Sequence, residues 1–163
     1  MVFQVAPQSK KPRTASVGSH VEAGRLGDQL CFALYAATNA MTRAYRPLLA
    51  EIGLTYPQYL VLLVMWERQP CRLGEIAEEL HLATHAVSPI IDRLETLGVV
   101  KRREDETDGR AVKVELTKSG RALEAKAAAI QEEMRCRSAL DPDAVDDLRM
   151  TIHALVDNLL AEQ

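Results

Sequence analysis

The chain is short of aromatic residues, of cysteine and of long apolar runs. Aromatics make up 4% of its 163 residues, with one Trp, two Phe and four Tyr, so a tyrosine lying near a reactive group carries weight. Three cysteines is an odd number, and no apolar leader opens the chain. A structural disulfide framework is therefore not expected, and the cytosol is the default compartment. The longest apolar run, Tyr59 to Trp66, is well short of the ~20 residues that cross a membrane. Neither sign of charge dominates: the net charge of -3 excludes a polycation but leaves room for a local basic patch. His20, His81, His85 and His153 do not fall at metal-ligand spacing, so neither a metal site nor a cofactor is expected.

What is present is ordinary for a folded domain, 47% hydrophobic and 26% charged. Residues 1–20 carry Lys10, Lys11 and Arg13 without an acid and have no periodicity, which reads as a disordered tail. A helix is predicted from about 28 to 50, with Leu30, Leu34, Met41, Leu48 and Leu49 as its stripe and Gly53 beyond its end. Thr55 is placed to cap a second helix, with Pro57 in its first turn. A short helix over 73–80 and another over 84–97 follow, the latter with Val87, Ile90, Ile91, Leu94 and Leu97 facing inward. The pattern then changes to period 2: residues 99–103 and 110–116 read as two strands joined by a polar loop with Asp108-Gly109 at its tip. Two more helices complete the chain. The last has an apolar stripe from Val145 to Leu159 that one small domain cannot bury, so a partner surface is expected.

Helix, tight turn, helix and hairpin, in that order, is the arrangement of a winged helix-turn-helix. A helix fits the major groove and its first residues meet base edges, while a thin hairpin can follow the backbone or the minor groove. Thr84, His85 and Ser88 are the small or polar residues at the start of the second helix, and Arg102, Arg103, Arg110 and Lys113 on the hairpin are candidates for phosphate contact. Asp108 is expected to brace Arg110 across the wing loop. On charge alone, with Glu104, Asp105 and Glu106 on the same hairpin, a solvated surface explains the pattern about as well; the order of elements favours DNA.

The stretch DGRAVKVELTKSGRAL resembles the wing and following helix of the MarR family of transcriptional regulators. Two others, QLCFALYAATNAMTRAYRPLLAEIGLTYPQYLVLLVMWE and EEMRCRSAL, resemble the organic hydroperoxide resistance regulators within it, of the two-cysteine type. The run HLATHAVSPIID departs from that subfamily's usual Ser-Gly-Thr start to the recognition helix, which leaves base specificity open. The resemblance implies a mainly α fold with a small β-hairpin wing. Residues 55–116 would form the DNA-binding domain, and 21–54 with 117–163 a helical dimerisation region. It also implies a homodimer that binds double-stranded operator DNA when reduced, is not an enzyme, and answers to organic hydroperoxides.

By the same resemblance Cys31 is the peroxide-reactive thiol, Cys136 of the partner its resolving cysteine, and Tyr35, Tyr45 and Tyr56 its hydrogen-bonding neighbours. A first-turn position suits a reactive thiol, because unpaired backbone N–H groups favour the thiolate there. Tyr35 is one turn from Cys31. Tyr45 is fourteen residues on, about 21 Å along the axis at 1.5 Å per residue, so it meets a Cys31 only if it belongs to an antiparallel second copy. Apolar neighbours Leu30, Phe32 and Leu34 suit a lipid-like or aromatic hydroperoxide. The alternative is a regulator that binds a small aromatic ligand, with its cysteines incidental; without the resemblance, a small buried hydrophobe is the simpler reading of Cys31. Cys71 has no role that the resemblance supplies.

Overall fold

Glycines, prolines and capping side chains set the ends of the helices. The computed structural model describes residues 24–105 and 108–161, without the side chains of 105 and 108–111. The expected tail at residues 1–20 lies outside them, as do the side chains of Asp108 and Arg110. After a single 3-10 turn, α1 spans Leu30–Glu51 and α2 Tyr56–Glu67. Between them Gly53 N donates to Ala50 O and Leu54 N to Leu49 O, both about one hydrogen bond apart from the helical pattern at 3.1 and 3.0 Å. The pair closes the helix as a Schellman turn. The start of α2 is held by Thr55 N donating to Gln58 Oε1 at 2.8 Å, half of a capping box.

Two short elements follow, β1 (Cys71–Arg72) and α3 (Leu73–Glu79), then α4 (Thr84–Thr96). The turn between α3 and α4 repeats the Schellman pattern, with His81 N donating to Glu78 O and Leu82 N to Ala77 O. Here the residue in the left-handed region is His81, at φ 51°. At the end of α4 the same role falls to Gly98, at φ 68°.

The wing is β2 (Val100–Asp105) and β3 (Asp108–Leu116). With β1 they form a three-stranded antiparallel sheet in the order β1-β3-β2. The hairpin is the one expected; the third strand is an addition, since a two-residue strand has no periodicity to reveal it. Cys71, Val114 and Arg102 lie opposite one another across the three strands, and Arg72, Lys113 and Arg103 form the neighbouring row. Because side chains alternate, the first row faces the core and α4, and the second faces away. Two positions expected inside are not: Leu97 and Val112 are 52% and 42% exposed. Leu97 lies at the very end of α4, and Val112 is far enough along the wing to have passed the core.

The last helices are α5 (Lys118–Ser138) and α6 (Pro142–Ala161). Thr117 Oγ1 caps α5, accepting from Gly120 N. Trp66 Nε1 donates to Gly120 O at 3.0 Å and ties α2 to this first turn. The core runs from the second half of α1 through α2, α3, α4 and the sheet to Ala127 and Ile130 of α5. Leu49, Leu62, Met65, Ile76, Ile91 and Leu94 are fully buried, each stabilising the fold by ~1.5–3 kcal/mol. By contrast α6, twenty residues long, buries none of its residues within the chain.

Candidate functional site

The first candidate surface combines α4 with the wing. Thr84 and His85 are exposed on the first turn of α4 and Ser88 is half-buried on the second. No side chain caps this N-terminus, because Ala83 occupies the capping position. The first N–H groups of α4 therefore stand beside three small or polar side chains, an arrangement suited to a phosphate or a base edge.

On the wing the four expected arginines and lysines have different surroundings. The guanidinium of Arg102 is held by two carboxylates of α4: Nη2 lies 2.5 Å from Asp92 Oδ1, and Nη1 is ion-paired with Glu95. Its own backbone N also donates to Glu95 Oε1 at 2.9 Å. The two pairs hold the Arg102 side chain in its charged form, well above the ordinary arginine range, with the Asp92 hydrogen bond as the largest cause. Arg102 was expected to face phosphate; its place in the sheet turns it inward instead, where it joins the wing to α4. Arg103 is on the outer row and exposed, 3.6 Å from Glu115, which Lys101 Nζ also approaches at 3.3 Å. Lys113 is on that same outer row, half-buried, in register with Arg103 and Arg72. A bracing contact between Asp108 and Arg110 concerns side chains outside the described residues.

The second candidate surface is the thiol and tyrosine set. Cys31 is the second residue of α1 and its thiol is free and exposed. Tyr35, one turn on, is 67% exposed. Tyr45 is at the other end of α1, buried, and packs against α2: its ring centroid is 5.2 Å from that of Tyr56 and 5.5 Å from that of Tyr59. Tyr56 and Tyr59 are themselves 6.2 Å apart. The structure thus brings Tyr45 and Tyr56 together and keeps Cys31 and Tyr35 at the far end of the helix.

Burial pushes the Tyr45 phenol up to about 12, assisted by the neighbouring Tyr59. Tyr56 and Tyr59 are raised as well, chiefly by burial. All three phenols therefore keep their protons at neutral pH and can donate. Tyr59 was read from the sequence only as part of an apolar run. Its spacing of three from Tyr56 is the signal that could have placed it beside that residue.

Cys136, near the end of α5, is also free and exposed. Its Sγ lies 3.9 Å from Glu132 Oε1, and the flanking Arg135 and Arg137 pair with Glu132 and Glu133 at 2.5 Å each. Cys71 differs from both. It is buried in β1, its thiol donates to Arg68 O at 2.6 Å, and burial followed by Glu75 pushes the thiol up. Such a thiol is poorly nucleophilic. Beside Tyr45 an apolar groove of about 550 Å³ runs between α1, α5 and α6, lined by Ala37, Met41, Gln131, Met134 and Leu148 among others.

The MarR family pattern matches residues 54–112. The chain is 35% identical over 135 residues to the organic hydroperoxide resistance transcriptional regulator of Bacillus subtilis (strain 168), covering 83% of this chain and 92% of that protein. It is 50% identical over 101 residues, 62% of its length, to the HTH-type transcriptional regulator TtmR of Methylorubrum extorquens (strain PA1), and spans about half of that longer relative, 52%. Among solved structures, reduced AbfR bound to DNA superposes with a TM-score of 0.69 at 30% identity, covering 83% of this chain and 94% of that one. The disulfide form of AbfR, a protein of Staphylococcus epidermidis, does so with a TM-score of 0.59 at 33% identity, covering 80% and 92%.

Proposed function

The chain belongs to the MarR family of DNA-binding transcriptional regulators, and from that premise we propose that it is a cytoplasmic, peroxide-sensing repressor that works as a homodimer. Reduced, the dimer holds operator DNA through Thr84, His85 and Ser88 of α4 and through Arg103, Arg110 and Lys113 of the wing. Arg102 contributes by holding the wing to α4. An organic hydroperoxide oxidises Cys31 and the dimer lets go.

One observation carries this reading. Cys31 is exposed at one end of α1, and the neutral phenols gather around Tyr45 at the other end, about 21 Å away along the axis. An antiparallel second copy brings each thiol to the other chain's phenols. The unburied face of α6 is the surface such a copy would cover. The relatives support the effector: one is named for organic hydroperoxide resistance, and another has been captured both reduced on DNA and as a disulfide.

The chemistry needs no cofactor. The Cys31 thiolate attacks the outer oxygen of ROOH; the O–O bond breaks, the sulfur becomes a sulfenic acid, and the alkoxide leaves as ROH after taking a proton. The Cys136 thiol of the partner subunit then attacks that sulfur, forming the disulfide and releasing water. Drawing the two helices together changes the spacing of the two recognition helices, and with it the fit to two half-sites.

The test is a non-reducing gel before and after cumene hydroperoxide, beside binding to a palindromic DNA selected from a random library by the reduced protein. A covalent dimer that Cys31→Ser or Cys136→Ser abolishes is the expected result. Release of DNA by peroxide in the Cys31→Ser protein overturns the assignment. The groove beside Tyr45 favours a second reading, a small aromatic effector. Release of DNA by salicylate in the Cys31→Ser protein would select it.

A further inference from the structure

Tyr45 is not the end of its hydrogen-bond chain. Its hydroxyl donates to the oxygen of Tyr59, which also accepts from the side-chain amide of Gln131. The three residues come from three elements: Tyr45 from α1, Tyr59 from α2 and Gln131 from α5. Tyr59 is the most enclosed of the tyrosines, 2% exposed, and its ring is stacked against both Tyr45 and Tyr56. Gln131 stands with Tyr45 on the wall of the groove.

We propose that Tyr59 and Gln131 are positioning residues for the thiol sensor, setting the orientation and donor strength of Tyr45 toward the partner subunit's Cys31. The inference rests on the reading of Tyr45 as the phenol that meets that thiol. Tyr45 has one proton, and with no anion nearby it is given inward to Tyr59. A thiolate brought up to Tyr45 claims that proton, so the Tyr45 hydroxyl turns outward and its oxygen becomes free to accept. Tyr59 then donates its own proton to Tyr45. Gln131, whose amide can only donate through nitrogen, supports Tyr59 in both arrangements. The reversed chain runs Gln131 to Tyr59 to Tyr45 to sulfur, and each donor in such a chain polarises the next. Without Tyr59 the Tyr45 phenol loses both its inward anchor and this polarisation.

The experiment uses the full-length dimer in a Cys136→Ser background, where Cys31 is the exposed thiol and Cys71 the buried one. The second-order rate of Cys31 oxidation by cumene hydroperoxide and its alkylation by iodoacetamide are measured for Tyr45→Phe, Tyr59→Phe, Gln131→Leu and the Tyr45→Phe/Tyr59→Phe pair. Tyr59→Phe keeps the buried ring, and Gln131→Leu alters an exposed residue, so neither depends on rebuilding the core. Loss of one hydrogen bond in the chain is expected to slow both reactions by about fivefold for Tyr59→Phe, and by less for Gln131→Leu. The decisive result is coupling: in the Tyr45→Phe background, Tyr59→Phe should slow nothing further. If Tyr45→Phe slows Cys31 and Tyr59→Phe does not, or if the two effects simply multiply, the positioning role is wrong while the sensor stands. If Tyr45→Phe leaves Cys31 unaffected, the partner-tyrosine reading fails and takes this inference with it.

Discussion

Arg102 on the first wing strand is paired with Asp92 on the recognition helix at 2.5 Å, so the two parts of the molecule that would meet DNA are tied to each other before any DNA arrives. Glu95 completes the clamp. The wing is otherwise attached only through its base, where Val100, Val114 and Leu116 enter the core. A hairpin so anchored swings at its tip unless something holds its flank, and Arg102 is the residue that does.

Arg102→Ala is therefore expected to weaken operator binding by about tenfold, ~1.4 kcal/mol, through loss of wing placement. Arg102→Lys should recover only part of this, because one ammonium cannot hold two carboxylates in a planar fork. Fluorescence anisotropy on a labelled operator measures it. Unchanged affinity in the alanine variant would mean that the wing needs no such clamp.

His81 and Gly98 close neighbouring helices in the same way, yet only one of them is glycine. A side chain in the left-handed region costs ~1–2 kcal/mol, offset in part by the greater freedom glycine has when unfolded. His81→Gly should raise stability by about 0.5 kcal/mol and Gly98→Ala should lower it by about 1 kcal/mol. Urea denaturation of the two variants tests the contrast; equal effects would contradict it.

Gly120 has no room for a methyl group. A Cβ there would lie 2.1 Å from Val99 O and 3.2 Å from a Leu116 methyl. The first contact is with backbone, which cannot rotate away. Gly120→Ala should destabilise the protein by roughly 2 kcal/mol or more, and the Trp66 hydrogen bond to Gly120 O should be disturbed with it. A shift in tryptophan fluorescence alongside a lower urea midpoint is the expected signature, since Trp66 is the sole tryptophan.

Tyr45 loses its proton near 10.0 when unfolded and at about 12 in the fold. Between those values the unfolded chain has released the proton and the folded one retains it. Stability contributed by the neutral phenol is complete below pH 10, falls as the pH rises through this window and is gone above it. Tyr45→Phe should flatten the decline in stability across that range, as read from alkaline unfolding curves. A decline of unchanged slope would assign it to other groups.

The elements of the DNA-binding half were legible because each leaves a local mark: helical stripes, the Asp108-Gly109 turn, the switch to period 2. Cys31, Tyr35 and Cys136 were found through family-like motifs, and the structure sets them at helix ends with free thiols. Tyr59 and Gln131 were missed because their meaning depends on three elements converging, and neither stands out within its own helix. Arg102 shows the same limit in another form. Its charge was visible, but the partner that claims it was not.

The sequence by itself determined where helices and wing strands begin and end, since capping residues, glycines and hydrophobic period act within a few residues of one another. It also determined that Tyr45 cannot touch its own Cys31, because helical rise alone separates them. Only the tertiary structure decided which charges meet. Strand register puts Arg102 in the inward row and Arg103 and Lys113 in the outward one, and register is settled by packing against the core. It likewise decided that Tyr45 lies against Tyr56 and Tyr59 and stays protonated: that burial exists only once α1, α2 and α5 have come together.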